Sequence, residues 1–261
     1  MTPVRAAAAR AERLRMLHAA PELLVLVNVW DAASARVVAA QPGCTALATA
    51  SYAIAAAHGF ADHEEIPVDL MLDACARIVA AAPELPVSAD LEAGYGDVRA
   101  TITGALERGV VGCNLEDQRE PVDVAAARIE EAVAAGRDYG VPLVVNARTD
   151  VFLTAKPADV MDDALARGRA YLDAGADVFF PIGLFDVELI RTLVEELGAV
   201  SVFAMPRAAS LDALQEMGVQ RVSTGPGPMG VALATLGRAA ADLLGHGDYP
   251  ADLTFRPPPP T

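Results

Sequence analysis

Lysine is nearly absent from this sequence. Of the 20 basic residues, Lys156 is a lysine and the other 19 are arginines. An enzyme that forms a Schiff base needs a lysine in an apolar pocket, whereas Lys156 precedes Pro157 in a segment that reads as a loop. The composition therefore argues against imine chemistry.

Cysteines and long apolar runs are also scarce. The chain has three cysteines, Cys44, Cys75 and Cys113, and their spacing is not that of a metal site. An odd number of such cysteines is typical of a protein in a reducing compartment. Although 53% of the residues are hydrophobic, no run of 18 apolar residues is free of charge, so we predict no membrane span. The N-terminal stretch contains arginines and no continuous apolar segment, unlike a secretory signal. We expect a cytoplasmic protein.

Basic residues are fewer than acidic residues. The chain has 35 acidic and 20 basic residues, which gives a formal net charge of −15. A protein this acidic repels nucleic acid and anionic lipid surfaces. We therefore predict neither nucleic acid nor a membrane as a partner.

Short apolar runs alternate along the chain with longer segments of helical spacing. The runs are apolar throughout, as in a parallel sheet that is buried on both faces. Eight such strand–helix units predict an α/β protein with a (β/α)8 barrel. The predicted strands are 23–30, 45–50, 86–91, 111–116, 142–148, 177–182, 200–205 and 220–224. The predicted helices are an opening helix at 3–20, then 34–41, 68–82, 98–108, 122–139, 158–174, 186–197, 210–217 and 228–244.

A doubly wound sheet is the alternative architecture. The turn after the first strand, residues 31–34, lacks the glycine fingerprint that often accompanies that fold. We assign residues 1–247 to one barrel domain and 248–261 to a proline-rich tail that is extended on a surface or disordered. Residues 51–67 read as a long loop after the second strand.

Two carboxylates follow the third predicted strand, in the stretch 87–96 (VSADLEAGYG). Side chains two apart on a strand share a face, so Asp90 and Glu92 should point the same way. Two acids on an inner face repel each other and lose hydration, which predicts a cation beside them. The plainer alternative is an exposed pair of acids that is salt-bridged to arginine.

Two further strand ends carry polar residues, 114–117 (NLED) and 146–150 (NARTD). The active sites of such barrels lie at the C-terminal ends of the strands. Several acids without histidine or cysteine indicate a hard divalent ion, Mg2+ or Mn2+ rather than zinc. We predict Asp90 as a direct ligand, with Glu92 and Glu116 acting through bound water.

Arg148 could grip a carboxylate with two parallel hydrogen bonds. A metal and an arginine around a small acid would stabilise an enolate. For other residues a structural role stays open. Asp31 could cap a helix, Asp150 could pair with Arg148, and Asp117 could support its neighbours. His18 reads as a surface histidine.

These motifs resemble the isocitrate lyase/phosphoenolpyruvate mutase superfamily. The resemblance runs from residues 29–36 (VWDAASAR) to 221–224 (RVST). The stretch 90–96 (DLEAGYG) is similar to the metal motif of that superfamily, 114–118 (NLEDQ) to its second acidic strand, and 146–150 to its substrate-arginine strand. The resemblance implies a Mg2+-dependent barrel that forms or breaks C–C or C–P bonds of small 2-oxo or 2-hydroxy acids through a pyruvate-like enolate.

The resemblance also implies roles for individual residues. Backbone amides of Ala50, Ser51 and Tyr52 would bind the oxo-acid end of the substrate, and Asp62 would lie on a flexible loop near the site. The implied catalytic residues are Arg148, Glu116 and Asp62, and the implied substrate contacts include Trp30, Asp31 and Asn146. The eighth helix would be exchanged within a dimer or tetramer.

Departures from the superfamily pattern narrow the expected reaction. Residues 118–123 (QREPVD) replace the gating loop that holds the catalytic cysteine of the lyases and the lysine and asparagine of the mutases. Ile182 and Met205 stand where isocitrate-type lyases have a glutamate and an asparagine. The favoured hypothesis is a carbon–carbon lyase. A hydrolase or decarboxylase of an oxaloacetate-like acid, and a barrel that binds metal and oxo acid without turnover, stay open.

Overall fold

The computed structural model describes residues 2–247, so the predicted proline-rich tail at 248–261 lies outside the described residues. Short strands alternate with helices. The strands are β1 (Leu24–Leu26), β2 (Asn28–Val29), β3 (Leu47–Thr49), β4 (Val87–Asp90), β5 (Gly112–Glu116), β6 (Val144–Thr149), β7 (Val178–Pro181), β8 (Ser201–Phe203) and β9 (Arg221–Ser223). The helices are α1 (Pro3–Ala19), α2 (Ala32–Ala39), α3 (Ser51–Ala57), α4 (Val68–Ala81), α5 (Val98–Glu107), α6 (Val122–Tyr139), α7 (Met161–Asp173), α8 (Val187–Leu197), α9 (Leu211–Glu216) and α10 (Gly227–His246).

The strands pair in parallel and their order returns to the first strand. A six-stranded sheet runs from β2 to β7 in chain order, and a three-stranded sheet has the order β1-β9-β8. The segment from β1 to β2 is one strand interrupted at Val27, pairing with β9 on one side and β3 on the other. A parallel bridge between Phe179 and Val200 connects β7 to the start of β8. The predicted barrel is confirmed.

Helix α1 covers the N-terminal end of the barrel. Its Leu14 is fully buried against Gly112, the first residue of β5, where a Cβ atom would come within 2.7 Å of the leucine side chain. His18 is only 3% exposed, so its prediction as a surface residue is wrong. The opposite end of the barrel is left for the loops that follow the strands.

Most predicted elements lie within a few residues of the observed ones, with two exceptions. Residues 51–57, predicted as loop, form α3. The predicted helix 158–174 begins as a 3-10 turn at Pro157–Asp159, and the α-helix starts at Met161. Among residues 2–247, no helix is long and apolar enough to cross a membrane.

Candidate active site

A cavity of about 240 Å3 opens at the C-terminal ends of the strands. Its lining is polar on one side and apolar on the other. The polar side chains belong to Asn28, Ser51, Asp62, Asp90, Asn114, Arg148 and Ser223, and the apolar wall includes Phe180, Ile182 and Phe203. The cavity therefore brings together Asp62, Asp90, Arg148 and the predicted segment 50–52.

Asp90 ends β4 with one carboxylate oxygen bonded and the other free. Its Oδ2 accepts hydrogen bonds from the Ser51 hydroxyl at 2.9 Å and the Ser51 amide at 3.3 Å. Ser51 reaches this position because α3 starts directly after β3, the neighbour of β4. The other oxygen, Oδ1, is buried and has no partner among the described residues. Asp90 thus offers one oxygen to a ligand.

Glu92 lies beyond the end of β4. Strand β4 ends at Asp90, and Glu92 adopts a left-handed φ of 50°, so the alternation of a strand no longer applies to it. Its carboxylate accepts hydrogen bonds from the Tyr95 hydroxyl at 2.7 Å and the Glu64 amide at 2.6 Å. Burial raises the pKa of Glu92, and these hydrogen bonds oppose the shift. The charge of Asp90 also raises the pKa of Glu92, so the two carboxylates lie near each other, and their common direction stays a prediction.

Glu116 and Arg148 form a buried ion pair between neighbouring strands. Arg148 Nη1 lies 2.8 Å from Glu116 Oε2, and the two residues are register partners of β5 and β6. Burial raises the pKa of Glu116 to about 8, while the guanidinium beside it acts in the opposite direction. Glu116 is therefore a carboxyl group that can hold a proton near neutral pH.

Arg148 is also paired with Asp150, as the sequence suggested. Its Nε donates to Asp150 Oδ1 at 2.7 Å. Two of the three guanidinium nitrogens are thus bonded to protein carboxylates. The expected two-bond grip on a substrate is reduced, because Nη2 is the nitrogen without a partner among residues 2–247.

Asp117 holds the C-terminal end of β6 through hydrogen bonds. It accepts hydrogen bonds from the Thr149 hydroxyl at 2.6 Å, the Tyr171 hydroxyl at 2.8 Å and Arg167 Nη1 at 2.9 Å. It also accepts the backbone amides of Arg119 and Asp150. Asp117 is 2% exposed and fully bonded, so it fixes the backbone that carries Arg148 instead of binding a ligand.

A buried polar layer forms the floor of the cavity. Arg221 is fully buried, and its guanidinium donates to Asn114 Oδ1 at 3.0 Å and to the hydroxyls of Ser88 and Ser223. Asn146 donates to the same Asn114 oxygen and accepts from Ser201. Asn146 is 0% exposed and lies in this layer, so the structure does not place it in contact with the cavity.

Two further predicted substrate contacts lie elsewhere. Asp31 caps α2, where its Oδ1 accepts the Ser34 amide at 2.7 Å. Trp30 packs against Ala50, Ala53 and Met229. Neither residue lines the cavity, and their substrate contacts stay predictions.

The three amides expected to bind the oxo acid are mostly engaged. The amide of Ala50 donates to Val29 and that of Ser51 to Asp90, which leaves the amide of Tyr52. All three residues line the cavity, and the binding of an oxo acid by this segment stays a prediction.

The donor atoms fit a magnesium ion bound through water. Within residues 2–247, no three His, Cys, Asp or Glu side chains gather as a complete metal cluster. Asp90 Oδ1 and Asp62 Oδ1 are both buried without a partner, and both residues line the cavity. Mg2+ commonly takes one or two carboxylates and keeps several waters. Glu92 and Glu116 are engaged by protein groups and would act through such waters.

The fold and this cavity define an α/β barrel with an acid-lined pocket at its C-terminal end. The family described as phosphoenolpyruvate phosphomutase matches residues 14–244. The chain belongs to this family, and the resemblance to the isocitrate lyase/phosphoenolpyruvate mutase superfamily is confirmed.

Among curated relatives, the chain is 31% identical over 194 residues to probable 2-methylisocitrate lyase 1 of Corynebacterium glutamicum. That match covers 66% of this chain and 62% of the relative, so the chain spans less than two thirds of that relative's length.

Solved structures extend the comparison over most of the chain. A "putative phosphonomutase" from Burkholderia cenocepacia J2315 is 45% identical, with a TM-score of 0.84, covering 88% of this chain and 98% of that one. A 2,3-dimethylmalate lyase of the superfamily is 30% identical, with a TM-score of 0.84 and coverages of 94% and 91%. Oxaloacetate acetylhydrolase in complex with oxalate is 26% identical, with a TM-score of 0.85 and coverages of 94% and 90%.

Proposed function

We propose that this protein is a Mg2+-dependent lyase that cleaves or forms a carbon–carbon bond of a small 2-oxo or 2-hydroxy acid. The observation that carries the proposal is the pairing, in one cavity, of an unpartnered Asp90 oxygen with the Arg148 guanidinium. A divalent cation and an arginine are the groups that a 2-oxo acid needs for its two neighbouring oxygen functions.

The cavity suits a small substrate with an apolar substituent. Its volume of about 240 Å3 is below the roughly 300–1,000 Å3 typical of sites for drug-sized ligands. Phe180, Ile182 and Phe203 form one wall. Met205, which we expected beside Ile182, lines a neighbouring groove instead. Two relatives are named for methylated acids, 2-methylisocitrate and 2,3-dimethylmalate, and a methyl group would fit such a wall.

The residues of the cavity have distinct proposed roles. Arg148 Nη2 and the Tyr52 amide hold the substrate carboxylate. Glu116 lies beside the cavity, paired with Arg148 through Oε2, and would hold a metal-bound water. When bound at Asp90, the metal would polarise the substrate oxygen and stabilise the negative charge that develops during bond cleavage. Asp62 lies across the cavity as a second carboxylate.

A thiol does not serve as the proton donor in this proposal, because none of the three cysteines lines the cavity. Cys75 and Cys113 are fully buried in the core, and burial raises the pKa of each thiol to about 12. Thiols of this kind are unreactive. We therefore expect a substrate whose reaction does not need a cysteine as the proton donor.

The alternative reaction is hydrolysis or decarboxylation of an oxaloacetate-like acid. The structural similarity to oxaloacetate acetylhydrolase supports it, and that reaction would use the same cavity. Binding of metal and oxo acid without turnover is the remaining alternative.

A direct assay separates these possibilities. Purified protein with Mg2+ is incubated with 2,3-dimethylmalate, 2-methylisocitrate and oxaloacetate, and the release of pyruvate, acetate and oxalate is followed by chromatography. Release of a 2-oxo acid from a hydroxy acid, abolished by EDTA, supports the lyase. Oxalate and acetate from oxaloacetate would favour the hydrolase. Full activity in EDTA contradicts the metal dependence.

A further inference from the structure

Glu64 connects the loop after α3 to the turn after β4. Its Oε1 accepts the backbone amides of Ala93 at 3.1 Å and Tyr95 at 2.6 Å. In return its own amide donates to Glu92 Oε2 at 2.6 Å. Each segment therefore supplies both donors and acceptors to the other, and every one of these bonds involves Glu64.

The two segments that Glu64 joins are both held in an unfavourable backbone conformation. His63, Glu64, Glu92 and Tyr95 have φ values of 69°, 61°, 50° and 54°. Residues with a Cβ atom rarely adopt this left-handed region, and they keep it where surrounding bonds enforce it. The hydrogen bonds of Glu64 are bonds of that kind.

The position of Asp62 depends on this contact. Asp62 lies two residues before Glu64, lines the cavity and keeps a buried, unpartnered Oδ1 there. On the far side of Glu64, Ile66 is 0% exposed and anchors the end of the loop in the core. The Phe60 amide, which donates to the Ala55 carbonyl at 2.9 Å, ties the start of the loop to α3, and Glu64 ties its second half to the 92–95 turn.

We propose that Glu64 is a positioning residue that fastens the 58–67 loop to the 92–95 turn and thereby holds Asp62 at the cavity. The consequence for ligand binding rests on the proposed function of that cavity, whereas the attachment itself does not. Because both amides donate to one oxygen, Oε1, the interaction needs an acceptor and not a charge. A glutamine at this position keeps that acceptor.

The first test is hydrogen–deuterium exchange on E64A, E64Q and the control E65Q, which changes an exposed neighbouring acid. In E64A we expect peptides containing Ala93 and Tyr95 to exchange about tenfold faster, because these two amides lose their acceptor. Peptides of the 58–66 loop should also exchange faster, because the loop loses its side-chain attachment to the turn. E64Q and E65Q should exchange like the wild type. Unchanged exchange in E64A, or equally fast exchange in E64Q, overturns the proposal.

The second test measures whether the attachment serves the cavity. Binding of oxalate in the presence of Mg2+ is measured by calorimetry for the same variants. We expect E64A to lose at least about tenfold in affinity, and E64Q and E65Q to stay within threefold of the wild type. Faster exchange with unchanged oxalate affinity would refute the role in positioning Asp62. A wild type that does not bind oxalate would count against the proposed function, and the exchange data would still decide the attachment.

Discussion

Asp90 and Asp62 differ from the other acids around the cavity, because each has a buried carboxylate oxygen without a partner in the described chain. Glu92 and Asp150 accept hydrogen bonds, Glu116 forms an ion pair with Arg148, and Asp117 accepts five hydrogen bonds. A buried carboxylate oxygen without a donor is costly unless a cation or ordered water meets it. This contrast, at the scale of single atoms, supports the proposal of Asp90, the one of the two that ends a strand, as the direct metal ligand.

Replacing Asp90 by alanine should abolish magnesium binding and leave the fold intact. The reason is that no second carboxylate offers a free oxygen at the same strand end. Calorimetric titration with Mg2+ measures the loss, and circular dichroism reports on the fold. The control is E120A, which removes an exposed acid from the same side of the barrel. Magnesium binding by D90A with wild-type affinity would show that the ligand lies elsewhere.

Replacing Arg148 by lysine should weaken oxalate binding by about tenfold to a hundredfold, the equivalent of about 1.5–3 kcal/mol for a charged hydrogen bond. A lysine has one nitrogen and cannot face Glu116, Asp150 and a ligand at the same time. Titration calorimetry with Mg2+ and oxalate measures the effect. The control is R207K, since Arg207 is exposed over Phe185 and does not line the cavity. Equal losses in both variants would contradict a specific role.

Site residues at strand ends could be predicted from the sequence, and residues placed by turns could not. Asp90, Arg148 and Asp150 were identified because the C-terminal ends of parallel strands converge in a barrel. Glu92 lies beyond the end of β4 with a left-handed φ, which the strand pattern did not predict. No sequence pattern indicated the contacts of Glu64, because its partners are backbone amides that lie about 30 residues away in the chain. Asn28 and Phe203 line the cavity through strand pairings that are not visible in the sequence.

At the scale of elements, α1 and the barrel interior meet around His18. Its Nδ1 donates to the Leu14 carbonyl at 2.8 Å, and its Nε2 is buried without a partner among the described residues. Burial, followed by the nearby Arg221 cation, lowers the pKa of His18 to about 3. The folded protein therefore keeps this histidine neutral, whereas the unfolded chain protonates it near pH 6.5.

This difference predicts a pH-dependent stability. Below pH 6.5 the unfolded state binds one more proton than the folded state at His18. The free energy of unfolding should therefore fall by about 1.4 kcal/mol per pH unit from this residue alone, down to pH 3. Urea denaturation at pH 7, 6 and 5 measures the slope, and H18Q should reduce it by that amount. The variant H58Q controls for the loss of a histidine. Parallel slopes for the wild type and H18Q would refute the prediction.

The short connection after β5 is rigid where the lyases have a gating loop. Gln118 and Arg119 adopt left-handed φ values, the Arg119 amide donates to Asp117, and Arg167 bonds the Glu120 carbonyl. A segment anchored in this way cannot fold over the cavity to deliver an acid or to cover a tricarboxylate. The element is thus a fixed turn that supports β6.

We expect isocitrate and 2-methylisocitrate to be poor substrates for this reason. Arg148 has a single nitrogen left for a ligand, and unpaired substrate carboxylates in a closed site are costly. Coupled assays of glyoxylate and pyruvate release measure both reactions. Turnover of either acid at ordinary enzymatic rates, about 1–10³ s⁻¹, would show that the gating loop and the missing polar groups are not required.

The strands and most helices were predictable because burial on both faces of the sheet leaves uninterrupted apolar runs. Helix α3 was not, since Ser51–Ala57 has only seven residues and no side-chain cap at its start. Its formation follows from tertiary context, as Ala53, Ile54 and Ala55 are buried against the barrel. The missed helix is also the element that brings Ser51 to Asp90. The same error in the predicted fold therefore explains why the hydrogen bond between these two residues was not predicted.

At the scale of the whole molecule, α10 leaves more apolar surface exposed than the outer layer of a barrel requires. Val231, Leu233 and Leu236 are 69%, 54% and 63% exposed. A groove of about 750 Å3 runs between the start of α10 and the loops after β8 and β9, and it shares Tyr52, Phe203 and Pro226 with the cavity. Contiguous apolar patches of this kind usually mark an interaction surface.

We therefore predict a dimer or tetramer in which α10 is covered by a second subunit, with exchange of this helix as the expected arrangement. Introducing charges with the double substitution L233E/L236E should give a monomer, because buried unpaired carboxylates oppose association. Light scattering coupled to size exclusion at micromolar concentration measures the mass. V124E, which alters an exposed apolar residue on α6, should keep the wild-type mass. Because the groove adjoins the cavity, the monomeric variant should also bind oxalate more weakly than V124E. A monomeric wild type would contradict the assembly, and unchanged oxalate affinity in a monomeric variant would show that the partner does not complete the site.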